Sequence, residues 1–336
     1  KRRTEYANVI KKAKKTIMKG RITVNRKFAI GEIDDRIYSG FLEQGGRAVY
    51  EGIYQPDHES ADADGFRTDV LELVKKLNMP LVRYPGGNYV SVYDWKDGIG
   101  PKEKRPARLE LAWQGLETNE FGVDEFMRWC RKAGVKPMMA VNLATQGPKE
   151  ARELLEYCNF PGGTELSDLR RKYGSEEPYG VKVWCLGNEM DGPWQLGQRN
   201  PEDYARVARE AAKMMKCVDD DIELIVCGSS FDGIPSFGTW DETVLDWTFD
   251  RVDYLSIHQY YGNPQDMTPG YLARPEAMSR YIDKAVAVCD AVAAKKRSDK
   301  RIMISFDEWN VWFHSHGAKD VKPKWSKARN MLEDVY

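Results

Sequence analysis

The chain has 336 residues, with 51 Lys and Arg against 52 Asp and Glu and a formal net charge of −1, so no global field marks it for nucleic acid or an anionic membrane. With 42% hydrophobic and 11% aromatic residues it can bury a sizeable core, which excludes disorder over most of its length. No stretch of ~18 apolar residues provides a spanning helix.

Residues 1–27 carry eleven Lys or Arg against the single acid Glu5. Tyr6, Val9, Ile10, Ala13 and Ile17 follow helical spacing there, which predicts an amphipathic segment whose basic face is solvated rather than a nucleic-acid arm. Further on, short apolar runs alternate with longer amphipathic ones. In chain order the pattern predicts a strand over 37–43, a helix over 66–77, a strand over 81–84, a helix over 123–133 and a strand over 136–143. It continues with a helix over 148–158, a strand over 181–189, a helix over 201–218, a strand over 223–229 and a helix over 239–248. A strand over 252–260, a helix over 275–294 and a strand over 301–309 complete it. Asn200 before Pro201 reads as an N-cap followed by Pro at the first helical position. Such alternation calls for a parallel α/β sheet, doubly wound or closed as a barrel.

Two features favour the barrel. No Gly-x-Gly-x-x-Gly or Gly-x-x-x-x-Gly-Lys-Ser/Thr occurs, which removes the main support for a nucleotide-binding sheet. Glu43, Arg83, Asn142, Glu189, His258 and Glu308 all fall at or near the C-terminal ends of predicted strands, the end where barrel enzymes assemble their chemistry. The six cysteines form no Cys-x-x-Cys pair and read as reduced structural thiols. There is no His-Glu-x-x-His, no Gly-x-Ser-x-Gly, and a partial calcium-loop pattern at Asp62, Asp64 and Gly65 ends in Leu71 where a Glu is required. The basic start lacks the apolar run and cleavage site of a signal peptide, and no Asn-x-Ser/Thr sequon occurs, which together point to the cytoplasm.

Period-2 alternation puts Val181, Val183, Cys185, Gly187 and Glu189 on one face, so the Glu189 carboxyl continues a row of mostly small residues suited to a barrel interior. A carboxyl drawn out of water in this way is a candidate general acid; the other reading is a salt-bridged Glu at a strand end. By the same rule Ile302, Ile304, Phe306 and Glu308 share a face, with Trp309, Trp312 and Phe313 following at the mouth. Two carboxyls on different barrel strands can flank a glycosidic bond, one protonating the leaving oxygen while the other attacks the anomeric carbon. Arg83, Asn88 and Asn188 offer hydrogen bonds, while His258 and Tyr260, two residues apart, share a strand face beside them. Trp95 and Trp113 are each read either as sugar platforms or as core.

Longer motifs add a resemblance. Phe41-Leu42-Glu43 with Gly46 to Tyr50, Arg83-Tyr84-Pro85-Gly86-Gly87-Asn88, Asp94 to Pro101, Thr118 to Gly122, Trp184 to Trp194, His258 to Gly262 and Ser305 to Trp312 together resemble the α-L-arabinofuranosidases of glycoside hydrolase family 51. The likeness runs from about residue 28 to the end, which sets a basic segment 1–27 apart from a catalytic barrel over 28–336. It implies a (β/α)8 TIM barrel, here incomplete at about seven strands, truncated before the eighth and without the family's β-sandwich. It also implies a retaining hydrolase of terminal non-reducing α-L-arabinofuranosyl groups from arabinoxylan, arabinan or their oligosaccharides, needing no metal or cofactor. Glu189 would be the acid/base and Glu308 the nucleophile. Glu43, Arg83, Asn88, Trp113, Asn188, His258, Tyr260 and Trp312 match positions that bind the sugar, support the carboxylates or line the site. Partners would be arabinose-containing saccharides, with neither nucleic acid nor membrane, and either a homo-oligomer, a hexamer in the family, or a complementing C-terminal portion. Another retaining glycosidase of this barrel type, a β-xylosidase or endoglucanase, and a non-catalytic carbohydrate-binding fragment are the alternatives.

Overall fold

A computed structural model describes residues 21–263, 267–311 and 322–328. Its contacts divide the chain into one unit over Lys1–Ile37 and another over Tyr38–Tyr336. In the described part of the first, Asn25 caps a 3-10 turn at Arg26–Phe28 by accepting the Lys27 N–H at 2.9 Å, and Ile22, Val24, Phe28, Ile30 and Ile33 are exposed. The amphipathic helix expected around Tyr6 to Ile17 lies outside the described residues.

The second unit holds a sheet of seven parallel strands, β1 (Gly40–Phe41), β2 (Leu81–Tyr84), β5 (Lys136–Ala140), β6 (Val183–Leu186), β7 (Glu223–Cys227), β8 (Tyr254–Tyr261) and β9 (Met303–Val311), hydrogen-bonded in that order. Every pair is parallel. The sheet curls until side chains of β2 meet those of β9, giving a nearly closed seven-stranded form of the (β/α)8 barrel. Strands β3 (Arg108–Glu110) and β4 (Gly115–Glu117) form a separate antiparallel hairpin. The helices are α1 (Thr68–Leu77), α2 (Val123–Ala133), α3 (Pro148–Asn159), α4 (Glu165–Lys172), α5 (Pro201–Val218), α6 (Thr239–Thr248), α7 (Thr268–Leu272) and α8 (Arg274–Lys296).

Alternation along each strand sorts side chains into two cores. Leu81, Met138, Ala140, Val183, Cys185 and Ile225 point inward and pack together, with Val90 from the β2 loop and half-buried Tyr254. The intervening Val82, Met139, Trp184, Leu186, Leu224 and Val226 belong to the larger cluster shared with the helices. The inward placement of Val183 and Cys185 agrees with the face expected for β6. Strand β9 departs from expectation. Ser256 pairs with Ser305 while His258 pairs with Glu308, so three steps on β9 oppose two on β8, a bulge of one extra residue. Ile304 and Phe306 therefore pack outward with Ile257, Tyr281 and Ala285, and only beyond the bulge does Glu308 turn inward.

The helix layer is fastened to the sheet by polar ties as well as apolar burial. Tyr204 of α5, fully buried, donates its hydroxyl proton to the Leu186 carbonyl at 2.7 Å and accepts the Cys227 N–H at 2.8 Å. Its ring stacks on Trp240 of α6 at 5.4 Å. Tyr204→Phe leaves both main-chain groups unpaired in a dry site, so unfolding free energy measured in urea should fall by about 1–3 kcal/mol.

Candidate functional site

Arg83 leaves β2 pointing along the barrel axis, and its guanidinium, 2% exposed, gathers the site around it. Nη1 donates to Glu308 Oε1 at 2.6 Å, Nη2 to Asn188 Oδ1 at 2.7 Å, and Nε lies 3.3 Å from Asp307 Oδ2. The Phe41 ring, from β1, sits 5.0 Å from the guanidinium carbon. Glu308 Oε2 accepts the Tyr260 hydroxyl at 3.1 Å, so donors from two other strands fix both of its oxygens.

His258, 3% exposed, stands between the two candidate carboxylates. Its Nδ1 is 3.0 Å from Glu189 Oε1 and 3.6 Å from Glu308 Oε2, and its Nε2 is 3.4 Å from Asp307 Oδ1. Burial opposes a charge on this ring, but Glu308, Asp307 and Glu189 outweigh it and push the pKa up to about 10. Asp307 shows the converse. Burial favours its neutral form, yet the Arg83 and His258 charges, with a 2.6 Å bond from the Ser256 hydroxyl, hold it down at about 2.

Glu189 follows Gly187 and Asn188 at the end of β6 and has φ +42°, a left-handed conformation that costs a non-glycine residue energy. Its Oε2 accepts the Trp194 indole N–H at 2.5 Å, and Trp194, 46% exposed, lies against Phe231. One oxygen of Glu189, one of Glu308 and a ring nitrogen of His258 all fall within 4.8 Å of one another. A cation could span that gap by distance alone, but Arg83 and a protonated His258 already sit among these carboxylates and would repel it.

Glu43 closes the opposite wall. Its Oε1 accepts the Tyr89 N–H and the Trp113 indole N–H, each at 2.9 Å. Removal from water, then the nearby Glu308 charge, push its pKa up to about 8. The floor between Glu43 and Glu308 is Gly87, where a Cβ would lie 3.0 Å from Glu308 Oε1 and 3.3 Å from Glu43 Oε2. Trp113 is delivered by the β3–β4 hairpin, whose buried Glu110 accepts the N–H groups of Ala112 and Trp113 at 2.6 and 2.8 Å. Asn88 opens the 3-10 turn after Gly87, half-buried, with no side-chain hydrogen bond among the described residues.

The structure thus brings Glu43, Arg83, Trp113, Asn188, Glu189, His258, Tyr260 and Glu308 to one place, with Asn88 beside them. Trp312 lies outside the described residues. Two further candidates fall outside this group. Asn142 is spent on structure, accepting from Ala144 and Thr145 of its own loop and donating to the Tyr93 carbonyl of the segment after β2. Of the two readings open for Trp95 the structure bears out core, since it is buried against Tyr157 at 5.2 Å. Sequence reasoning also missed Asp307, because strict alternation from Ile302 aims it away from Glu308's face. The available signal was the acidic pair Asp307-Glu308 itself, which a regular strand cannot turn to one side. The hairpin carrying Trp113 was missed as well, although Leu109 and Leu111 alternate with polar neighbours.

Residues 73–280 match the family model described as the α-L-arabinofuranosidase 1 domain. The chain is 55% identical over 319 residues to the intracellular exo-α-(1→5)-L-arabinofuranosidase 1 of Bacillus subtilis, an alignment covering 95% of this chain and 64% of that protein. Among solved structures, a family 51 α-L-arabinofuranosidase from Bifidobacterium longum superposes with a TM-score of 0.86 at 46% identity, covering 90% of this chain and 61% of that one. The arabinose complex of an α-L-arabinofuranosidase from Thermotoga maritima gives a TM-score of 0.77 at 41% identity, covering 85% of this chain and 57% of that one. The chain therefore spans a little under two thirds of the length of these relatives.

The His258 cluster has a pH signature. A pKa raised from 6.5 to about 10 on folding contributes stability that is complete below pH 6.5 and is lost as pH rises through 10. The difference in urea-unfolding free energy between the wild type and His258→Gln should therefore be largest near pH 6 and shrink steadily toward pH 10.5. A difference that grows over that range would mean the ring is neutral in the folded protein.

Proposed function

Because the chain belongs to glycoside hydrolase family 51, the α-L-arabinofuranosidases, we propose that it is part of, or constitutes, a retaining enzyme that removes terminal non-reducing α-L-arabinofuranosyl groups from arabinan, arabinoxylan and arabino-oligosaccharides. The observation that carries this reading is the approach of Glu189 and Glu308 oxygens to within 4.8 Å across the strand ends. Retaining glycosidases place their two carboxyls ~5–5.5 Å apart, whereas inverting ones leave room for a water at ~6.5–9.5 Å.

In the first step Glu308, aligned by Arg83 and Tyr260, attacks the anomeric carbon and forms a glycosyl ester while the bond to the leaving oxygen breaks. Glu189 delivers its proton to that oxygen through Oε2, the atom on the side open to Trp194. In the second step Glu189 takes a proton from water, and the water oxygen displaces Glu308 to release arabinose with its original configuration. His258, bonded to Glu189 and charged, stabilises the Glu189 carboxylate after each proton leaves it. Glu43, with Oε1 held by two N–H donors, presents Oε2 to the sugar's hydroxyls beside Asn88, and Trp113 lines the pocket. The basic segment 1–27 would be a part of the chain distinct from the catalytic barrel over 28–336, and the intracellular naming of the Bacillus relative supports a cytoplasmic location.

Glu308→Ala should abolish turnover of 4-nitrophenyl α-L-arabinofuranoside. Glu189→Ala should slow substrates with poor leaving groups by about 10²–10⁴-fold, spare the first step with good ones, and regain part of its rate with azide. Wild-type rates in both variants would overturn the assignment, and a preference for xyloside or cellobioside would move it to another retaining glycosidase.

A further inference from the structure

The Glu189 side chain hangs from a strained backbone, and something must hold that backbone in place. The turn closes locally by the Gly192 N–H donating to the Glu189 carbonyl at 2.8 Å. Two residues beyond Glu189, Asp191 is 5% exposed and both of its carboxylate oxygens reach across to the loop after β7. Oδ1 accepts the Ser230 hydroxyl and Oδ2 accepts the Ser230 N–H at 3.1 Å. Ser230 is itself buried, and Gln198 donates to the Asp191 carbonyl at 2.9 Å. The nucleophile has direct supports of its own: Glu308 is held by Arg83 and Tyr260, neither hydrogen-bonded to Asp191 or Ser230, although Arg83 also bonds Asn188 beside Glu189.

We propose that Asp191, through its two bonds to Ser230, is a positioning residue for proton delivery, holding the turn that aims Glu189 at the leaving oxygen while Glu308 keeps its own direct contacts to Arg83 and Tyr260. The proposal rests on the acid/base reading of Glu189. Its consequence is selective. A turn released from the β7 loop lets Glu189 drift, and misplacement on the scale of 1 Å costs a proton transfer about 100-fold. A substrate whose leaving group needs no proton is indifferent to that drift.

The test is kcat/KM, which reports the first chemical step, across aryl α-L-arabinofuranosides from 2,4-dinitrophenyl to phenyl. It is run in the full-length enzyme for the wild type, Asp191→Ala, Asp191→Asn, Ser230→Ala and Glu189→Ala. Asp191→Ala should lose about 10- to 100-fold on the phenyl substrate and less than ~3-fold on the dinitrophenyl one. Asp191→Asn should restore most of this loss, since its amide can accept the Ser230 N–H and donate to its Oγ. Ser230→Ala removes the same strut from the other side and should steepen the series in the same direction, which keeps the test open if Asp191→Ala does not fold. A uniform loss across the series in a folded Asp191→Ala or Ser230→Ala variant, alongside a steep series in Glu189→Ala, overturns the Asp191 proposal alone. A flat series in Glu189→Ala overturns the acid assignment and this proposal with it.

Discussion

Everything at the mouth of this barrel is arranged around a buried guanidinium. Arg83 lies among Asp307, Glu308 and Asn188 with an aromatic ring against its face, and its planar fork ties two neighbouring acids of β9 to the turn after β6 at once. A carboxylate cluster of this density, Glu43, Glu189, Asp307 and Glu308, is untenable without cations. Arg83 is always charged, and with it in place His258 is drawn into the charged form by what remains. The two cations and Asp307 make a fixed ionic frame, and Glu43 escapes the crowding by shifting toward its neutral form. Removing the central cation would strand buried anions, a loss of the kind that costs ~3–5 kcal/mol, so the frame is a condition of the fold as much as of the chemistry.

The barrel has two halves of opposite character along its axis. The lower interior is filled by Leu81, Met138, Ala140, Val183, Cys185 and Ile225, without a charge among them. One layer up stand Arg83, Ser256 and Asp307, and above them the facing carboxylates. The apolar plug excludes water from below, which strengthens each ionic contact in the layer above it. Asp307 and Cys185 meet at the boundary, where the thiol lies 3.7 Å from a carboxylate oxygen.

Much of this was legible in the residues. Helices over 123–133, 201–218 and 239–248 begin and end where the sequence places them, because Gly, Asn-Pro and Gly-Thr signals mark their starts. The polar residues closing six of the seven strands were visible because an apolar run that stops on a Glu or His breaks its own pattern at the end where barrels build their sites. What escaped were departures from period. Alternation is a rule for regular strands, and β9 is not regular. Asp307, Ile304 and Phe306 were each assigned the wrong side by a pattern that one extra residue resets. For Trp95 and Asn142 the residues left two readings open, since a side chain's type says nothing of whether its partners are a ring such as Tyr157 and the N–H groups of a loop or an incoming sugar.

The bulge in β9 also constrains how this chain can change length. Loops around the rim can gain or lose residues without disturbing any strand, but the count from Ser305 to Glu308 is locked. Deleting Phe306 would restore regular pairing with β8 and leave Glu308 opposite His258, but Asp307 would then take the outward place of Phe306, turned toward the helices and away from Arg83 and Ser256. The irregularity is therefore a piece of information carried by spacing alone. Any homologous sequence that keeps the Asp-Glu pair but shortens this strand by one residue would retain the signature of the site and lose its geometry.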